Sequence, residues 1–184
     1  MAATRYLIAA FAAAFAMSAS AGIVVVGSTD ARMCYLAADA TMTPTPRDLA
    51  TCDSAIREPA ISQHDLVASY VNRGIVKLRR GRVQESIADF DTALRLDPHQ
   101  PEAYLNKGAA LMREDNAREA LPLFTVALEN HTNRPAMAHF GRAIANEALG
   151  NVREAYADYR AASQLEPRWA EPRTELARFR VVPR

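Results

Sequence analysis

The chain has 184 residues, with 22 Lys plus Arg against 21 Asp plus Glu and a formal charge of +1. That balance lacks the positive excess by which proteins hold nucleic acid or an anionic membrane surface, so neither partner is expected. The length suits one domain preceded by an N-terminal segment.

The first 22 residues, MAATRYLIAAFAAAFAMSASAG, carry one positive residue, Arg5, then an apolar run from Tyr6 to Met17, then Ala19-Ser20-Ala21. This is the layout of a secretory signal with a small-residue cleavage site, which makes 1–21 a signal peptide and Gly22 the first mature residue. A second apolar run, Ile23-Val24-Val25-Val26, keeps an alternative open. Uncleaved, residues 6–27 are long enough to anchor the chain in a bilayer. Either reading sends the domain out of the cytoplasm, to a bacterial periplasm or cell envelope.

Residues 22–60 form an N-terminal segment and two short predicted helices. One starts near Asp30. The other starts at Thr45 or Pro46 and stops before Pro59, with Leu49, Cys52 and Ala55-Ile56 on one face. Cys34 and Cys52 are the only cysteines. An even count in an exported chain favours a disulfide between them over two buried free thiols.

Beyond Ile61 the chain repeats itself. The stretch from Tyr70, YVNRGIVKLRRGRVQESIADFDTALRLDP, returns from Tyr104 and again from His139, at spacings of 34 and 35 residues. Such a period means stacked supersecondary units. Helices are predicted at about 63–80, 82–96, 101–114, 117–130, 135–148 and 152–165. Gly81, Asp115-Asn116 and Gly150 supply the turns within units. Ser62 with Asp65 three residues on opens the first as a capping-box-like start. Residues 86/90/93, 120/124/127 and 155/159/162 fall at i, i+4, i+7 of each second helix and share a face. Pro122 is expected to kink its helix or delay its start, because its ring clashes with the carbonyl of Arg118. A final helix is expected from Ala170 to about Arg180, with Trp169 packing it onto the third unit.

These units resemble the tetratricopeptide repeat (TPR). The residues that carry the resemblance are Gly74, Ser86, Phe90 and Ala93 with Pro98, then Gly108, Ala120, Phe124 and Ala127, then Ala143, Ala155, Tyr159 and Ala162 with Pro167. Thr132 stands where a closing Pro is usual, and an extra residue near Arg134 lengthens that loop. Ala55-Ile56 looks like the pair closing a second helix, as Ala93-Leu94 and Ala127-Leu128 do. The resemblance implies an all-α, right-handed superhelix. Residues 61–184 would be the array, with units at about 67–100, 101–134 and 136–169 and a cap at 170–180. Residues 30–59 would be a degenerate hairpin before it.

The resemblance also implies a concave groove lined by the first helices, receiving a protein or peptide segment. Its lining would include Asn72, Ile75 and Arg79 from the first unit, Asn106, Met112 and Arg113 from the second, and Phe140 from the third. Asn72 and Asn106 lie one unit apart, so their amides are placed to clamp a backbone. Arg79 and Arg113 share that spacing and suit carboxylates. The set resembles an asparagine ladder rather than the carboxylate clamp of chaperone-tail receptors, because Val71, Ile75, Met137 and Gly141 stand where that clamp needs polar or basic residues.

No phosphate loop, nucleophile elbow or zinc-hydrolase motif is present. His64, His99, His131 and His139 have no His or Cys at i+3 or i+4, so no metal pair forms on a helix. Asp89 and Asp91 read as solvated helix residues, and Lys77, Arg79, Arg80 and Arg82 as a solvated turn. The expected function is therefore a non-enzymatic interaction module, without cofactor. The alternative is an assembly protein that self-associates through its groove or end faces.

Overall fold

Amphipathic helices of this length cannot bury their apolar stripes alone, and stacking is the solution this chain adopts. A computed structural model of the protein describes residues 21–25 and 27–179. Among them it contains nine helices and no strand. They are α1 (Thr29–Asp39), α2 (Pro46–Ile56), α3 (Gln63–Arg79), α4 (Val83–Leu96), α5 (Pro101–Arg113), α6 (Ala117–Glu129), α7 (Pro135–Ala148), α8 (Val152–Leu165) and α9 (Ala170–Leu176). Each packs on the next in sequence, and α1, α3, α5 and α7 also touch in series. The result is an α-solenoid.

The starts follow local chemistry. Ser28, Thr45, Ser62 and Asn116 each accept a backbone N–H of the first turn through the side chain. Thr45 and Asp48 close a full capping box. The turns inside units need left-handed backbone, supplied by Gly81 (φ 77°), Asp115 (φ 55°) and Gly150 (φ 79°). α6 begins at Ala117 and runs through Pro122 to Glu129, so the delayed start expected there does not occur.

Close approach inside a unit is bought by a missing side chain. A Cβ on Gly74 would sit 2.4 Å from the Phe90 ring, and one on Gly108 would sit 2.9 Å from the Phe124 ring. In the third unit Ala143 and Tyr159 share the buried cluster instead. The loop before α7 is held by Glu102, whose carboxylate accepts from Thr132 Oγ1 (3.3 Å) and Asn133 N (3.0 Å).

The hairpin α1–α2 packs on α3 and continues the stack at its N-terminal end. Cys34 and Cys52, both fully buried, join its helices with their Cα atoms 4.7 Å apart. At the other end α9 is shorter than expected, ending at Leu176 with a turn after it. Trp169 packs against Phe140 at 4.7 Å between ring centroids, and Phe179 against Tyr159 at 5.8 Å. Arg178 is held between Glu147 and Glu175.

Ion pairs inside the units correct two further expectations. Asp89 is buried, not solvated; it accepts from Arg73 Nε at 2.9 Å and Nη2 at 2.7 Å, and pairs with Lys77 Nζ at 2.7 Å. Asp158 repeats the arrangement in the third unit, with Arg142 at 2.8 Å on each oxygen and His139 Nδ1 at 2.8 Å. The basic cluster at the end of α3 is likewise partnered residue by residue. Lys77 pairs with Asp89, Arg80 donates to Pro44 O at 2.6 Å, and Arg82 pairs with Glu85.

Candidate functional site

The inner surface is built from one face each of α3, α5 and α7. Helical register places Asn72 and Asn106 at equivalent points on α3 and α5, with Ile75 and Met112 further along the same helices. Both asparagines are buried, Asn72 completely. A buried amide must find partners, because its polar atoms are costly to strip of water otherwise.

The partners come from the chain itself. Residues 21–25 form no helix and pair with no sheet; they lie across α5 and α3 as a single segment, a strand in the sense that its burial alternates with a period of two. Asn72 Nδ2 donates to Ile23 O at 2.9 Å, and Ile23 N donates to Asn72 Oδ1 at 2.9 Å. Asn106 Nδ2 donates to Ala21 O at 3.2 Å and to Glu102 O of its own helix at 2.7 Å. Two asparagines one unit apart thus read two alternate residues of one extended strand. The strand's period of two turns Ala21, Ile23 and Val25 inward, where all three are buried, and leaves Val24 59% exposed. Ile23 and Val25 join the apolar cluster containing Val71 and Ile75, and Ala21 joins the one containing Leu105 and Met112.

Glycines let the strand come close. A Cβ on Gly22 would lie 3.3 Å from Asn72 Oδ1 and 3.4 Å from the Tyr35 ring. One on Gly27, just past the strand, would lie 2.2 Å from the Asp65 carboxylate.

The other residues picked out in the sequence go elsewhere. Arg79 Nη1 donates to Ala37 O (3.2 Å) and Ala38 O (3.1 Å), and Nη2 to Met42 O, so its guanidinium caps the C-terminal end of α1. Arg113 Nη1 donates to Leu78 O at 2.7 Å, capping α3. These are cations placed at helix C-termini, where the free carbonyls and the dipole favour them. Burial lowers the pKa of both. Phe140 lies with Trp169 and Tyr159 in the aromatic cluster beneath α9. The structure therefore brings Asn72 and Asn106 to the strand, puts Ile75 and Met112 in the apolar clusters that the strand joins, and sends Arg79, Arg113 and Phe140 to structural posts.

Sequence reasoning missed the strand. Its signal was the β-branched run Ile23-Val24-Val25, which favours extended backbone. That run had been absorbed into the anchor alternative. The signal-peptide and anchor readings themselves fall mainly on residues 1–20, outside the described residues. Among the described residues no helix is long and apolar enough to cross a membrane. No group of three or more His, Cys, Asp or Glu among them could hold a metal ion.

A family model described as tetratricopeptide repeat matches residues 71–135 and 110–168. No curated protein matches the chain. Solved structures similar to it include the first TPR of Spaghetti (RPAP3) bound to the HSP90 peptide SRMEEVD, at 24% identity and TM-score 0.57, covering 60% of this chain and 87% of that one. The Arabidopsis OM64 TPR domain is similar at 21% identity and TM-score 0.60, covering 64% and 96%. YrrB, described as a TPR protein with an unusual peptide-binding site, is similar at 22% identity and TM-score 0.56, covering 71% and 64%. At these identities the likeness concerns the fold.

Proposed function

Because the chain belongs to the tetratricopeptide repeat family, we propose that it is a non-enzymatic protein-interaction module whose inner groove takes an extended polypeptide segment. The observation that carries this reading is the Asn72 amide, which makes both a donor and an acceptor bond to the backbone of one residue in an extended strand. Such bonds read a main chain without regard to side chains. The apolar floor then supplies selection by side chain.

The ligand of this groove is a neutral segment. The first TPR of RPAP3 binds an HSP90 peptide with acidic residues. Here the two arginines in groove register donate to helix-end carbonyls, Arg79 through both Nη groups and Arg113 through Nη1, which draws them away from a carboxylate ligand. Cross-linking in the native envelope, followed by mass spectrometry, tests the proposal. Partner cross-links are expected on α3 and α5 and are expected to fall sharply with Asn72→Ala plus Asn106→Ala. Recovery of the same partners at the same yield by the double mutant sinks it.

The proposal includes export to a periplasm or cell envelope, which the joined Cys34 and Cys52 support. Two thiols readily alkylated in the unreduced native protein count against it. Cleavage after Ala21 would also remove the Asn106–Ala21 bond, and the mass of the mature protein reports whether that cut occurs. A second reading, self-association through an end face, is favoured by Met33 and Leu36, which are exposed one turn apart on α1. Light scattering separates the two: a concentration-dependent oligomer supports the second, a monomer the first.

A further inference from the structure

The strand in the groove is a ligand already in place, and its chemistry describes what else fits there. Five consecutive residues are read differently. Ala21 is fully buried against the α5 side, and its carbonyl is bonded to Asn106. At Gly22 a Cβ would lie 3.3 Å from Asn72 Oδ1, a tight contact, and 3.4 Å from the Tyr35 ring, so larger side chains have little room. Ile23 gives both backbone groups to Asn72 and its side chain to the apolar floor. Val24 points to solvent and is not read, and Val25 is buried. All of this occurs without a charge. The occupant thus has one form: small residue, glycine, β-branched apolar residue, exposed residue, β-branched apolar residue.

The occupant is also tethered. Only three residues separate Val25 from the first residue of α1, which the Cys34–Cys52 pair and Arg79 fix to the rest of the stack. A short tether holds a ligand at an effective concentration of about millimolar. A free segment of the same form must compete against that.

We infer that residues 21–25 are a resident copy of the groove's ligand, and that a partner segment of the form small–Gly–β-branched–any–β-branched enters by displacing them. This rests on the interaction-module reading above, with the chain uncut after Ala21, and adds to it the chemistry of the partner and a built-in competitor. Asn72 and Asn106 select an extended backbone; Gly22's neighbours and the floor select the sequence.

The test uses the full chain and a labelled peptide, acetyl-Ala-Gly-Ile-Val-Val followed by two lysines and an amide. Binding is measured to the wild type and to Ile23→Asp/Val25→Asp, which expels the resident strand. The milder Ile23→Ala/Val25→Ala serves if the first variant loses its helical circular dichroism. The released variant is expected to bind at least about tenfold more tightly than the wild type. Adding Asn72→Ala should reverse that gain. Replacing the peptide's glycine by valine should weaken it several-fold, and the peptide SRMEEVD should not compete. Equal affinity of wild type and released variant overturns the competitor. Asn72-dependent binding that ignores the glycine overturns the sequence form and leaves the interaction-module reading standing. A folded released variant that binds no peptide overturns both. A wild-type dimer that Ile23→Asp/Val25→Asp converts to monomer would put the strand in a second copy's groove and overturn the in-chain competitor.

Discussion

The two ends of the inner surface share a register and differ in what fills it. On α3 and α5 the equivalent positions are Asn72 and Asn106, and both hold the strand. On α7 the next place in the series is Gly141, where a Cβ would sit 2.5 Å from the Phe124 ring. The ladder stops there because the same point is needed for packing. Phe124 fits between Gly108 and Gly141, and an asparagine at 141 would displace it. Beyond it, Phe140 belongs to the aromatic cluster under α9. One end of the surface binds backbone and the other closes the stack, and a single residue position marks the change.

The largest expected break in this contrast is at its boundary. Phe124→Ala should cost about 3–5 kcal/mol in chemical denaturation, because a fully buried ring between two glycines leaves a cavity no neighbour can fill. Next comes the binding end. Reduction of the Cys34–Cys52 pair, which closes a loop of sequence separation 18, should lower stability by about 3 kcal/mol and loosen the strand's tether. A melting temperature unchanged by reductant would show that the hairpin is held without it.

At the closing end, Asp158→Asn should cost about 1.5–3 kcal/mol through its charged hydrogen bonds to Arg142 and His139. Burial alone would raise the pKa of Asp158, but the hydrogen bonds from His139 and Arg142 outweigh it and hold the pKa below the ordinary value. A depressed folded-state pKa means the contribution is complete above the unfolded value of about 3.9 and is lost as pH falls through the folded one. The difference between wild type and Asp158→Asn should therefore shrink below about pH 4. A difference that grows with acid would reverse the sign of this account.

The smallest effect sharpens the comparison most. Asn72→Ala should cost about 1–3 kcal/mol, since it strips two buried partners from Ile23. Asn106→Ala should cost less, about 1 kcal/mol, because its amide divides between Ala21 and its own helix. Two asparagines left free for a partner would be removable with little change in melting temperature. With the strand in place that expectation changes, and equal melting temperatures for wild type and Asn72→Ala would mean the strand spends little time in the groove.

Much of the solenoid was legible in the residues. The 34-residue spacing, the small-residue and aromatic positions, and the turns at Gly81, Asp115 and Gly150 depend on local sequence, so they could be read locally. The network of Arg73 with Asp89 and Arg142 with Asp158 was also legible in principle. Each pair is separated by 16 residues, and the two pairs occupy equivalent places in the first and third units. The middle unit hid it by placing Leu123 there, with Lys107 pairing back to Asp91 at 2.6 Å.

What the sequence by itself determined is the stack: helices too short and one-sided to stand alone, repeated at a fixed interval, must bury their stripes against each other. It also determined that Asn72 and Asn106 share a face, since that follows from helical and repeat periods alone. Only the tertiary structure decided what each groove residue does. Whether Arg79 meets a carboxylate or a helix end depends on where α1 terminates, some forty residues earlier in the chain. Whether Asn72 waits for a partner or already holds Ile23 depends on a contact between residues 49 apart. No local pattern encodes such contacts, because they arise from which surfaces remain unsatisfied once the helices have packed.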